Sequence, residues 1–328
     1  KTEDYGKTWT RKVDENEVNG YTLAVIQDPV APNLVFLGTE NGLWISMDEG
    51  NSWAQFKNGF PSVSTMDLAI QERESALIVG TFGRAIWIID DLLSLREIAK
   101  GTINPELTAL PINDAVQVKG LFIAPPGNIW TGFHTTFEGE NRVFQKVKIP
   151  FYIEDPVNNE IAVASIVDSE GQEINKVSSS DLQPGLNYLI WRLDEEAHNL
   201  PGAWIHDESR GIPVLPGTYT ILLEYMDLKD SSKIKVISDP RFDLDPEIDQ
   251  KLYDYQKKVD KEVERLSLLL NDIDDRMEIL GKIEEQVKQT GETGELIKDI
   301  SKMKTLLIKL RSKGQTPRPD RQLGAWRT

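Results

Sequence analysis

The chain has no cysteine among its 328 residues, which excludes disulfide bonds and thiolate chemistry. Histidine is nearly as scarce. The three present, His134, His198 and His206, lack the H-E-x-x-H kind of spacing that marks a metal site. Basic residues are in deficit, 37 against 53 acidic, for a formal net charge of -16. Nucleic acid and anionic membrane surfaces are thereby disfavoured as partners, because both require a basic face. Long hydrophobic runs are missing as well, and none reaches the roughly 18 residues of a membrane span. The lack of thiols suits a cytoplasm and a bacterial envelope equally.

What is present divides into three regions, mainly β with a C-terminal α-helical part. Residues 1–118 hold short runs such as "YTLAVIQ", "NLVFLGT", "GLWISMD", "ALIVGTF" and "AIWIID". Each is rich in β-branched and aromatic residues and bounded by Gly, Pro, Asn or Asp, which predicts strands, without helical periodicity. An eight-residue pattern occurs twice, as "TEDYGKTW" (2–9) and "SMDEGNSW" (46–53), so Asp4 and Asp48 lie 44 apart, as do Trp9 and Trp53. "LVFLGTENGLWISMDEG" also aligns with "ALIVGTFGRAIWIIDDL", setting Trp44 over Trp87. A repeat of roughly 40 to 45 residues with about four short strands is the signature of a β-propeller blade. The pattern itself predicts a hairpin turn. Asp4 and Asp48 accept hydrogen bonds from turn amides, Gly6 and Gly50 take positive φ, and Trp9 and Trp53 bury a ring between sheets.

This pattern resembles the Asp-box, or BNR, repeat of sialidases and sortilin-type propellers. "GTFGRAIWIIDDLLSLREI" resembles a closing-blade segment of large bacterial sortilin-type, BNR-repeat glycosyl hydrolases, which often reads His-Gly-Arg-Gly where this chain has Phe82-Gly83-Arg84-Ala85. Propellers close with about four to eight blades. Only about one and a half follow the first motif, so the expectation is an incomplete propeller, the C-terminal portion of a longer protein. The missing blades are then supplied by the same parent chain or by another subunit. The resemblance also implies an extracytoplasmic location: periplasmic, cell-surface or secreted.

Residues 119–238 alternate apolar and polar positions in "VFQKVKIPFYIED", "IAVASIVDSEG", "GLNYLIWRL" and "GTYTILLEYMD", which predicts an Ig-like β-sandwich. "GLNYLIWRLDEEAHNLPG" followed by "VLPGTYTILLEY" resembles the module after the propeller in the same bacterial family. It is distantly similar to the Ig-like domain of flagellar-hook capping proteins. Residues 239–328 open with Asp245 as a helix cap, Pro246 at the first position, and Glu247 and Asp249 in the first turn. Apolar residues then recur at Leu252, Tyr255, Val259, Val263, Leu266, Leu270, Ile273, Met277 and Leu280. "TGETG" breaks the stripe, and a second follows at Leu296, Ile300, Met303, Leu307 and Leu310. The expected form is an antiparallel helical hairpin followed by an extended tail, with an apolar face that requires cover from the sandwich or a partner.

Chemistry is harder to find. The sialidase resemblance implies an arginine cluster, a tyrosine nucleophile paired with a glutamate, and an acid/base aspartate, gathered from several blades. Arg84, beside Gly83, is the best candidate for a channel-lining group, with a surface or inter-blade arginine on backbone carbonyls as the alternative. Tyr5 and Glu40 lie near turns with nothing to pair them. Asp90 and Asp91 are adjacent at a strand end, and the second aligns with Asp48. No cofactor and no metal site is expected. "DLDPEID" lacks the glycine of a calcium loop, "GETGELIK" lacks the G-K-[ST] of a phosphate loop, and "VSSSD" is not a G-x-S-x-G elbow. The leading expectation is a non-catalytic scaffold or interaction portion that supports glycan or peptide binding and self-associates through its helices. The rival is a glycoside hydrolase whose active site lies in the complete propeller.

Overall fold

The computed structural model describes residues 1–57, 59–117, 147–197, 211–240, 245–289 and 294–314. His134, His198 and His206, most of the "TGETG" break and the tail after residue 314 lie outside the described residues. The chain divides into two compact units. One comprises Lys1–Leu193 with Pro216–Pro240, the other Asp194–Leu215 with Arg241–Thr328. Among the described residues no helix is long and apolar enough to cross a membrane.

The first unit is mainly β. Its N-terminal part holds β1 (Thr22–Gln27), β2 (Val35–Thr39), β3 (Gly42–Ser46) and β4 (Ala54–Gln55), which form one antiparallel sheet in chain order. A second up-and-down sheet follows from β5 (Thr65–Gln71), β6 (Ala76–Thr81) and β7 (Ile86–Ile89). The two sheets share one apolar core. Leu34, Phe36, Leu43 and Ile45 from the first meet Leu68, Leu77, Val79, Trp87 and Ile89 from the second. Each strand therefore turns alternate residues toward that core, as period-2 patterning requires.

A helix closes this core. In α1 (Leu92–Ala99), Leu92, Leu95 and Ala99 are buried in the same cluster. Asp91 caps it, accepting from the Ser94 amide at 3.0 Å and the Ser94 hydroxyl at 2.5 Å. The reading of this region as free of helical periodicity is corrected here. The apolar steps of three and four from Leu92 are real, but eight residues are too few to stand out beside long strand runs.

The remaining strands of this unit are β8 (Thr108–Ala109), β9 (Ala115–Gln117), β10 (Val147–Ile153), β11 (Ala162–Val167), β12 (Glu173–Ser179), β13 (Gly185–Trp191), β14 (Gly217–Tyr225) and β15 (Leu228–Ser238). They make a three-stranded sheet, β13-β10-β8, and a five-stranded one, β12-β11-β14-β15-β9. All pairings are antiparallel except β15 with β9. Trp191 of the smaller sheet stands edge-on to Tyr219 of the larger, with ring centroids 5.5 Å apart. Both rings are buried. Since β8 and β9 precede residue 118, these sheets draw strands from upstream of that boundary.

The second unit is helical. α2 (Pro246–Gln289) runs 44 residues, about 66 Å at 1.5 Å per residue. Its first turn is capped by Asp245, which accepts from the Glu247 amide at 2.9 Å. α3 (Glu295–Gly314) lies against its later half. Lys304 pairs with Glu284 at 2.5 Å, Arg311 with Asp274 at 2.6 Å, and Gly314 lies beside Leu270 and Leu266. Contacts thus step back along α2 as α3 advances. Leu270, Ile273 and Ile300 are buried, whereas Ile248, Leu252, Tyr255 and Val259 of the first half of α2 stay exposed.

Candidate functional site

The two eight-residue motifs form the same turn, with four hydrogen bonds in common. In the second copy the Ser46 hydroxyl donates to Asp48 Oδ1 at 2.8 Å and accepts from the Gly50 amide at 2.7 Å. Asp48 Oδ1 also takes the Ser52 amide at 2.9 Å, and Oδ2 the Ser52 hydroxyl at 2.6 Å. In the first copy the Thr2 hydroxyl donates to Asp4 Oδ1 at 3.0 Å and accepts from the Gly6 amide at 2.8 Å. Thr8 supplies its amide and hydroxyl to Asp4 at 2.8 and 2.7 Å. Gly6 and Gly50 sit at φ of +87° and +81°, the left-handed region a Cβ disfavours.

The carboxylates are consequently held ionised. Hydrogen bonds from the Thr8 amide and hydroxyl hold Asp4 below the usual carboxylate range. Burial pushes the Asp48 carboxyl up, but the bonds from Ser52, Ser46 and Asn51 together outweigh it and bring it down to about 2. Both oxygens of each aspartate accept bonds within the turn, so neither group is set up to carry a proton or a metal. The settings differ. Asp48 closes the β3–β4 hairpin, and the indole N–H of Trp53 donates to the Lys12 carbonyl at 2.8 Å. Trp9 is 73% exposed, and its indole N–H turns back to the Gly6 carbonyl at 3.1 Å.

The other residues singled out from the sequence are scattered. Arg84 is exposed in the β6–β7 turn, where its carbonyl accepts from Trp87 Nε1 at 2.9 Å. Tyr5 stands fully exposed at the tip of the first turn. Glu40 belongs to the β2–β3 turn, its carbonyl accepting from the Ser64 hydroxyl at 3.1 Å. Asp91 is the α1 cap. Burial pushes the Tyr188 hydroxyl strongly up, and the neighbouring Asp91 carboxylate, which it hydrogen-bonds, adds to the rise. Among the described residues no group of three or more His, Asp or Glu side chains is arranged to hold a metal ion.

Two ionic clusters escaped the sequence reading. Arg96 of α1 is buried and grips the buried Asp28 with Nε at 3.0 Å and Nη2 at 2.9 Å, while Nη1 donates to Ser75 Oγ at 3.0 Å. Asp28 in turn accepts from the Val30 and Ala31 amides at 2.8 and 2.7 Å. This pair pins the helix to the ends of both sheets. In the second unit the buried Glu195 accepts from the Tyr253 hydroxyl and the Lys257 ammonium on α2. Asp28 sits in the turn after β1, before Pro29. Its partner Arg96 lies 68 residues away, a pairing no local pattern marks.

No family model matches the chain, and no curated protein does. Among solved structures, dimeric latent PorU from Porphyromonas gingivalis is similar over 50% of this chain and 12% of that one, at 13% identity and a TM-score of 0.22.

Proposed function

We propose that this chain is a non-catalytic structural and interaction part of an Asp-box repeat β-propeller protein of the sortilin type. In this reading β1–β4 and β5–β7 are two blades, β8–β15 an Ig-like sandwich, and α2 with α3 an antiparallel hairpin. One observation carries it. Two turns with the pattern Ser/Thr-x-Asp-x-Gly-x-Ser/Thr-Trp, 44 residues apart, share four hydrogen bonds, and one of them closes an up-and-down sheet. Propellers need about four to eight such sheets, so the reading requires further blades, from the same polypeptide or another subunit.

The non-catalytic part of the proposal rests on what the acidic and basic groups already do. Asp4 and Asp48 are committed to turns, Asp91 to a helix cap, and Arg84 stands in solvent. The interaction part rests on Ile248, Leu252, Tyr255 and Val259, an exposed stripe at steps of four, three and four on α2. A glycan or a peptide remains the ligand class for the complete propeller. The test is turnover of fluorogenic glycosides, sialosides included, by the full natural polypeptide and its Arg84→Ala form. No turnover by either is expected. Turnover that Arg84→Ala abolishes would overturn the proposal in favour of a glycoside hydrolase.

A further inference from the structure

The two sheets assign each of their faces a direction. Gly38 pairs with Leu43 in the first sheet and Gly80 with Ile86 in the second, so Leu43 corresponds to Ile86 and Ile45 to Ile88. By the same ladder Trp44 corresponds to Trp87, and Phe36, opposite Ile45, corresponds to Ile78, opposite Ile88. The first sheet turns Phe36, Leu43 and Ile45 toward the second, which receives them on its Val79 and Trp87 face. Its own Leu37 and Trp44, on the opposite face, are covered by Val13, Val18 and Trp53.

The second sheet carries the same forward face with nothing on it among the described residues. Leu43 and Ile45 are 0% and 8% exposed, whereas their counterparts Ile86 and Ile88 are 69% and 48% exposed, with Phe82 beside them at 73%. The face is built from Ile78, Ile86 and Ile88, with Asp67 opposite Gly80 on the adjoining strand, and exposed aliphatic side chains grouped on one sheet face ordinarily mark an interaction surface. We infer that the Ile86–Ile88 face is the docking surface for a further sheet of the same repeat, carried by the same polypeptide and presenting a Leu37/Trp44-type face to it. A second copy of this chain is a poor fit, because its Leu37 and Trp44 are already covered by its own Val13 and Val18.

This inference rests on the propeller reading, and its test separates the two. The chain has no cysteine, so Ile88→Cys provides a clean label on an exposed position. Maleimide labelling, read at the peptide containing residue 88, is compared between the 328-residue chain and the full natural polypeptide. Labelling at least about tenfold slower in the full polypeptide is expected, because the site then opens only by local fluctuation. A photo-cross-linking benzoylphenylalanine at Ile86 identifies the occupant. Capture of a peptide adjoining another Ser/Thr-x-Asp-x-Gly-x-Ser/Thr-Trp turn is the supporting result. Equal labelling rates, or capture of a separate protein or of another stretch within these 328 residues, overturn the docking while leaving the propeller standing. A natural polypeptide without any further turn of this pattern overturns both.

Discussion

Replacing Asp48 by alanine removes acceptors for four donors at once: the Ser46 hydroxyl, the Asn51 amide, and the amide and hydroxyl of Ser52. Each such bond contributes about 0.5–1.5 kcal/mol net. Because the freed amides regain water at the open side of the turn, a total loss of about 2 kcal/mol is expected. Asp4→Ala removes nearly the same set from the Thr2 hydroxyl and Thr8. No strand adjoins that turn on either side, so a loss within about 0.5 kcal/mol is expected there. The pair is an internal control, with three bonds to the aspartate in common and unequal settings.

A pH dependence goes with it. The folded value for Asp48, about 2, lies below the ordinary 3.8. Its contribution is therefore fully present above about pH 4 and is lost as pH falls through about 2. The gap is worth about 2 kcal/mol at most, and about 1 after solvent screening at a partly open turn. Hydrogen exchange over β2–β4, read by mass spectrometry, measures both effects. Protection falling roughly thirtyfold in Asp48→Ala and little in Asp4→Ala is expected. Equal losses in the two variants, or an acid-sensitive step between pH 4 and 2 that survives Asp48→Ala, would refute the reasoning.

Three further outcomes follow from other parts of the molecule. Arg96→Met leaves the buried Asp28 without its cation and should cost about 3–5 kcal/mol in denaturant unfolding; a loss under about 1 kcal/mol would show that the pair is not holding α1. Ala85 sits at φ +59°, where the resembled family often has glycine. Ala85→Gly should raise stability by up to about 1 kcal/mol in thermal unfolding, and a destabilised variant would contradict that. The exposed stripe on α2 should give a mass above monomer in light scattering, reverting to monomer in Leu252→Glu with Val259→Glu. A wild-type monomer that binds no hydrophobic dye would count against a partner face.

Local signals carried the sequence reading furthest. Short β-branched runs gave a mainly β chain, and the Asp245-Pro246 start with its stripe at three- and four-residue steps gave the helical C-terminus. α1 was overlooked because Leu92, Leu95 and Ala99 make barely two turns. The Asp28–Arg96 pair was out of reach because charge pairing across 68 residues depends on two sheets meeting, which no local pattern encodes. The contrast between Trp9 and Trp53 is the clearest case. The motif is the same in both, and neighbours outside it, the Lys12 carbonyl and the Val18, Leu37 and Trp44 cluster, decide which indole is covered.

The central claim is that β1–β4 and β5–β7 are consecutive blades of a larger ring. A cryo-electron-microscopy map of the full natural polypeptide tests it most directly. A closed ring of about four to eight up-and-down sheets is expected, with Ile86 and Ile88 packed beneath the Trp44-type face of the next one. A map in which these two sheets stand alone, with Ile86 and Ile88 in solvent, would contradict it.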